Sequence, residues 1–162
     1  MEKTYYKTPI GWAEIVADGD AILSVNIVRD TENRKLKIGN RDLVDSAVLQ
    51  KCIRELDEYF AGTRKNFTVK LEARGTDFQQ RVWQELAKIP FGVTASYADI
   101  ARRVGSPRAV RAVGSANSKN PHWIIVPCHR VIASNGALSG YADGLDRKKW
   151  LLEHEARGGS GV

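Results

Sequence analysis

Residues 96–117 read Ser96-Tyr97-Ala98-Asp99-Ile100-Ala101-Arg102-Arg103-Val104-Gly105-Ser106-Pro107-Arg108-Ala109-Val110-Arg111-Ala112-Val113-Gly114-Ser115-Ala116-Asn117, and they decide the architecture of the second half of the chain. Ser96 followed three residues later by Asp99 is a capping-box-like start, with Asp in place of Glu. It predicts a short helix to about Val104. Gly105-Ser106 turns the chain, Pro107 suits a first-helical position, and a second helix is expected to run to about Ser118. Two short helices joined by a tight glycine-containing turn form a helix-turn-helix pattern, which an ordinary helical hairpin shares. The second helix holds two arginines among small or apolar side chains. Gly114 in its middle costs about 1 kcal/mol relative to alanine, and close approach to another surface is one compensation. Small residues let a helix axis approach a groove or a packed neighbour. Arginine suits phosphate contact and can fill the space left by an unstacked base.

Upstream, Thr76 can cap a helix through about Lys88 that carries Phe78, Val82, Trp83 and Leu86 on one face. Ile89-Pro90-Phe91-Gly92 ends it. Downstream, Ile124-Ile125-Val126-Pro127-Cys128-His129-Arg130-Val131 places an apolar strand-like run and a proline before an adjacent Cys-His pair. A free thiol has a pKa of about 8.5 and reacts as the thiolate. A nearby imidazole, directly or through water, is a usual way to form it at neutral pH. A buried cysteine acting as a small hydrophobe is the plainer reading of the dipeptide.

The first half reads as α/β. Gly11–Ala17 alternates after a Pro-containing turn, Asp18-Gly19-Asp20 is a turn signal, and Ala21–Ile27 follows as a second strand, a hairpin pattern. Residues 30–40 are polar and expected as loop. Between about Asp45 and Ala61, Val48, Leu49, Cys52, Ile53, Leu56, Tyr59 and Phe60 recur at helical spacing, with Gly62 where a C-terminal cap belongs. Cys52 lies on that stripe and is expected in the core. Phe67–Leu71 predicts a short strand, and Ala73-Arg74-Gly75 a boundary. The expected organisation is an α/β domain over 1–74, a helical domain over 75–157, and a flexible tail from 158 to 162.

Composition sets limits. The 162 residues can bury a core as one large or two small domains. No apolar run approaches the roughly 20 residues that span a membrane. Met1–Tyr6 lacks an apolar signal core, so no secretion signal is expected. Two cysteines form neither a disulfide framework nor a zinc cluster, so no metal is expected and a reducing, cytoplasmic compartment is. The net charge is +6, and no acidic residue occurs between Asp99 and Asp143, a stretch that holds Arg102, Arg103, Arg108, Arg111, Lys119 and Arg130. One-signed charge over such a length suits an anionic partner such as nucleic acid, or a solvated basic face.

These pieces in this order resemble the O6-alkylguanine-DNA alkyltransferases (methylated-DNA–protein-cysteine methyltransferases). The carrying segments are Gly75-Thr76-Asp77-Phe78-Gln79, Ser96-Tyr97, Arg111-Ala112-Val113-Gly114, Asn120-Pro121, Pro127-Cys128-His129-Arg130-Val131, Ser139-Gly140-Tyr141 and Lys149–Glu155. The resemblance runs end to end, weak over 1–72 and strong from Gly75 to Glu155. It implies a ribonuclease-H-like α/β N-terminal domain and a mainly helical C-terminal domain with a winged-helix-like helix-turn-helix that enters the minor groove. It implies stoichiometric, irreversible transfer of the alkyl group from O6-alkylguanine in duplex DNA to Cys128, with O4-alkylthymine a second candidate substrate. No cofactor is needed, no membrane is involved, and a monomer suffices. Glu155 would orient His129, His129 would act through a bound water on Cys128, and Asn120 would hold the turn. Tyr97 would push out the base and protonate its N3, and Arg111 would replace it in the stack. Ala112, Gly114, Ser115, Ser106 and Ser134 would line the DNA contact. Val131, Tyr141 and Ala142 would read the guanine, and Trp123 would narrow the pocket or stack on the substrate. His122 and Trp123 depart from the small residues or proline common at those positions, and Asn117 from the Met of some members. The zinc module of some bacterial relatives is absent. Two other readings fit parts of the pattern: a DNA-lesion binder with an incidental cysteine, and a thiol hydrolase or transferase acting on a small acyl substrate.

Overall fold

The computed structural model describes residues 1–28, 46–138 and 144–158, which form two compact units, Met1–Ala73 and Arg74–Gly158. The expected loop at 30–40 lies outside the described residues.

The first unit is built on an antiparallel meander of β1 (Glu2–Thr8), β2 (Gly11–Asp18) and β3 (Ala21–Ile27), paired in that order. The β2–β3 hairpin matches the sequence reading. Its two-residue loop holds Gly19 at φ +61, where a side chain would be strained. β1 was not expected, because only Tyr6 and Thr8 of its seven residues are buried and the alternation is faint. Ala13, Ile15 and Ala17 of β2 and Ile22 and Val25 of β3 supply the inner face. The helix α1 (Ala47–Ala61) contributes Leu49, Cys52, Ile53, Leu56 and Tyr59 to the core. Ser46 accepts from Leu49 N at its start, and Gly62 ends it at φ 83.

The expected strand at Phe67–Leu71 is not formed. One parallel bridge joins Leu71 to Ile22. The buried Glu55 carboxylate captures the N–H groups of Thr68 and Val69 at 2.9 and 3.0 Å and the Thr68 hydroxyl at 2.6 Å, which takes those donors away from a ladder.

The second unit contains α2 (Asp77–Ala87), β4 (Ala95–Ser96), α3 (Tyr97–Arg103), α4 (Val110–Ser118), a 3-10 turn (Cys128–Arg130), β5 (Val131–Ile132) and α5 (Leu145–Ala156). Both predicted caps form as full capping boxes, Thr76 with Gln79 and Ser96 with Asp99. Trp83 donates its indole N–H to Ala116 O at 2.9 Å, fastening α2 to α4. β4 and β5 pair in parallel, Ala95 with Val131.

Two local expectations are corrected. Pro107 does not open α4, which begins at Val110. Ser106–Ala109 is closed by Ala109 N donating to Ser106 O at 2.9 Å, and Pro107 occupies the second position of that turn, which its fixed φ favours. The strand-like run 124–126 is a chain of tight turns: Ile125 N donates to Trp123 O at 2.9 Å around Ile124 at φ 71, and Cys128 N to Val126 O at 2.8 Å around Pro127 at φ −82, ψ 66. Asn120 captures this segment, its amide donating to Val126 O at 2.8 Å and to His122 O at 3.3 Å, so no strand partner is needed.

Glu55→Ala strands two backbone donors in the first unit and should destabilise it by about 2–4 kcal/mol. Urea unfolding of the full chain measures this, and a loss below about 0.5 kcal/mol would show that water replaces the carboxylate.

Candidate active site

Cys128 opens the 3-10 turn and is 5% exposed. Three features fix it. The turns before it are closed by Asn120, whose Oδ1 also accepts from His122 N at 3.0 Å. Behind it, Val131 is held in the β4–β5 pair. The third is α5, which places Lys148, Leu151 and Glu155 on one buried face at spacings of three and four. Lys148 Nζ donates to Val131 O at 2.6 Å, while Glu155, two turns later, reaches His129.

Glu155 is the most heavily bonded of these groups. His129 Nε2 lies 2.6 Å from Oε2, Arg130 donates through Nε to Oε1 at 2.7 Å and through Nη2 to Oε2 at 3.1 Å, and Gly92 N donates to Oε1 at 3.3 Å. Arg130 also donates to Ile89 O at 2.6 Å. Burial opposes the charge on Glu155, but the donors from His129 and Arg130 outweigh it and hold the carboxyl well below its usual range. Burial holds the His129 imidazole below its usual range against the pull of Glu155, with Arg130 and Lys148 adding to the depression. The ring is therefore neutral, Nε2 carries the hydrogen that Glu155 accepts, and Nδ1 is left as a buried lone pair without a hydrogen-bond partner among the described residues. An acceptor on the residue next to a thiol is what proton removal from that thiol requires.

Tyr97 opens α3 and is half-buried. Burial first, and charge on Cys128 second, push its phenol up, so it keeps its proton at neutral pH. Lys148 Nζ lies 5.8 Å from the centre of its ring. Burial pushes the Lys148 ammonium down, with Cys128 pulling the other way.

On α4, Arg111, Ala112 and Ser115 are exposed and Gly114 is half-buried. Ser106 and the three residues after it line an open depression of about 480 Å³ at the α3–α4 turn. Ser134 is exposed and Val131 buried; Tyr141 and Ala142 lie outside the described residues. Trp123 is 1% exposed and His122 beside it is equally buried, just before the turn at Ile124, whose φ is 71. Lys148 escaped the sequence reading, and Arg130 and Asn117 carry no site role in it, the first being only a motif member and the second a departure from the family's Met. Lys148 could have been found from the helical register that sets it seven residues before Glu155.

Among the described residues no group of three His, Cys, Asp or Glu side chains is placed to hold a metal ion, and no helix is long and apolar enough to cross a membrane.

Comparison with known proteins gives a consistent result. Residues 1–73 match the family described as 6-O-methylguanine DNA methyltransferase, ribonuclease-like domain, and residues 77–157 match its DNA binding domain. A methylated-DNA–protein-cysteine methyltransferase of Methanosarcina acetivorans is 43% identical over 96% of this chain and 98% of its own. The constitutive enzyme of that name from Bacillus subtilis is 47% identical over 94% and 93%. The crystal structure of Mycobacterium tuberculosis OGT in complex with DNA superposes with a TM-score of 0.83 at 41% identity, covering 96% and 93% of the two chains.

The depressed titrations of His129 and Glu155 set the pH dependence of stability. Both groups bind fewer protons folded than unfolded, so their contribution is complete above an ordinary histidine pKa of about 6.5 and is lost as pH falls below it. The thermal midpoint should be flat near pH 7–8 and fall progressively between about pH 6.5 and 5. His129→Gln should flatten that fall, whereas a midpoint that rises on acidification would contradict the assignment.

Proposed function

The chain belongs to the 6-O-methylguanine DNA methyltransferase family, and from that premise we propose that it repairs DNA by moving the alkyl group of O6-alkylguanine onto Cys128. The observation that carries the reading is the buried Glu155–His129 pair, which leaves a neutral imidazole with a free lone pair on the residue next to the thiol.

The Cys128 proton passes to His129 Nδ1, with a bound water as carrier. Glu155 stabilises the imidazolium without accepting the proton itself, because its other donors make it a weak base. The thiolate displaces O6 at the alkyl carbon: a carbon–sulfur bond forms, the carbon–oxygen bond breaks, and the electron pair stays on oxygen. The Tyr97 hydroxyl supplies a proton at N3, so the base leaves neutral, and the proton held on His129 returns through water to the Tyr97 oxygen. The net change replaces the alkyl group on the base by the thiol proton. A thioether has no route back, so each molecule acts once.

The flat, exposed side of α4 supports minor-groove docking, with Arg111 filling the gap left by the extruded nucleotide. Gly114 belongs to that argument. A methyl group built there would meet nothing nearer than Tyr97 Cε1 at 4.0 Å, so packing inside the protein does not demand glycine. Its smallness serves a partner outside. The tight α3–α4 turn and the β4–β5 pair support the winged-helix-like reading of this unit, and the β1–β3 meander with α1 the ribonuclease-H-like reading of the first. We take a cytoplasmic monomer as the acting form, since the chemistry uses one reduced thiol per molecule.

Mixing the protein with a duplex carrying one O6-methylguanine should add a single methyl to Cys128, read by intact-protein mass spectrometry. Cys128→Ser should bind the duplex and gain no mass; transfer retained in that variant would sink the assignment. Arg111→Ala should slow transfer from duplex by about tenfold or more while leaving reaction with the free base nearly unchanged. Gly114→Ala should raise stability by up to about 1 kcal/mol and weaken duplex binding; unchanged affinity would remove the close-approach argument.

A further inference from the structure

The buried side of α4 carries Val113, Ala116 and Asn117, opposite the face that holds Arg111, Ala112 and Ser115. Asn117 is 2% exposed. Its Nδ2 donates to the carbonyl oxygen of Cys128 at 3.4 Å, a long bond to an oxygen that also accepts from Val131 N. Its Oδ1 is buried and has no hydrogen-bond partner among the described residues. Turning the amide round does not cure this, since it would set an oxygen against the Cys128 carbonyl. A leucine, with the same branched four-atom side chain, would leave no stranded acceptor. An amide here is therefore costly in the free protein unless a donor arrives.

The chemistry of the substrate says which donor that is. Alkylation at O6 removes the N1 hydrogen of guanine, and N9 is bonded to the sugar. The exocyclic 2-amino group is then the only N–H donor left on the base. We infer that Asn117 is a specificity-determining residue of the transfer reaction, its Oδ1 accepting a hydrogen bond from the 2-amino group of the alkylated guanine beside the Cys128 backbone. This rests on the reading of Cys128 as the acceptor of alkyl groups from O6-alkylguanine. No bond to Asn117 forms or breaks. It aligns the base, and it ties the helix that meets DNA to the residue that takes the alkyl group.

The test uses two duplexes identical except for one base, O6-methylguanine or O6-methylhypoxanthine, which lacks the 2-amino group. Single-turnover methyl transfer to Cys128 is timed by mass spectrometry. The unsubstituted protein should react faster with the amino-bearing base. Asn117→Leu should lose about tenfold on that base and less than about twofold on the other. Asn117→Asp keeps an acceptor and should keep the preference, whatever its absolute rates. Equal slowing on both duplexes by Asn117→Leu would reduce Asn117 to a packing residue and overturn the inference. If the leucine variant does not fold, equal rates of the unsubstituted protein on the two bases overturn it. No methyl on Cys128 from either duplex would instead overturn the alkyl-transfer reading, and the inference with it.

Discussion

The interior of the second unit depends on one buried carboxylate. Taking a charged Glu155 out of water is unfavourable by several kcal/mol unless its oxygens are matched by donors. Here both oxygens of Glu155 are matched, by Arg130 in a two-point grip, by His129, and by the N–H of Gly92. Those partners come from two parts of the sequence distant from α5, the loop after α2 and the 3-10 turn. Satisfying this one group therefore fixes where α5 ends, where the Gly92 loop sits and which way the imidazole faces. Arg130 has a double effect. It neutralises Glu155, and by its own charge it discourages a standing imidazolium, so His129 rests as a base rather than as an acid.

The second constraint is on the backbone. A cysteine at the end of an ordinary strand would share its carbonyl and N–H with neighbours and point by the two-residue alternation. Residues 122–128 instead fold back on themselves through bonds between residues two apart, with Ile124 in a region that branched side chains rarely adopt. Asn120 compensates by binding both ends of the excursion. The same excursion leaves Trp123 and His122 buried.

What the sequence disclosed follows from the range of the forces involved. Caps are local: Thr76 caps its helix and Ser96 pairs with Asp99 as the sequence predicts, and Gln79 completes the Thr76 box within one turn. The α1 stripe and Gly62 are equally local. The Cys-His pair was legible because the family motif is dense there, and the matches over 1–73 and 77–157 establish that family. Where the reading failed, a competing hydrogen bond decided. Glu55 drew backbone donors away from the expected 67–71 strand, the Asn120 amide bound the carbonyl oxygen of Val126 in the 124–126 run, and a turn hydrogen bond claimed Pro107 before the helix could. Lys148 reads as a surface lysine until the helical register shows that it shares a buried face with Glu155. Asn117 stands out in the sequence only as a departure from the Met of some members, and its burial beside Cys128 is what gives that departure a meaning.

Helix α4 brings these threads together. Its outer side is small and basic, and its inner side touches the chain at the carbonyl of Cys128 through Asn117. Trp83 meanwhile pins its last turn by a bond to Ala116. A helix fastened at that end is packed into the same body as the cysteine, so on the proposed role of Arg111 a partner bound there acts on a body that already includes the thiol. Recognition and chemistry are thus one packed unit, rather than two sites joined by a linker. That rigidity suits a protein that acts once: with no second turnover to complete, nothing is gained from a helix that loosens to release its product.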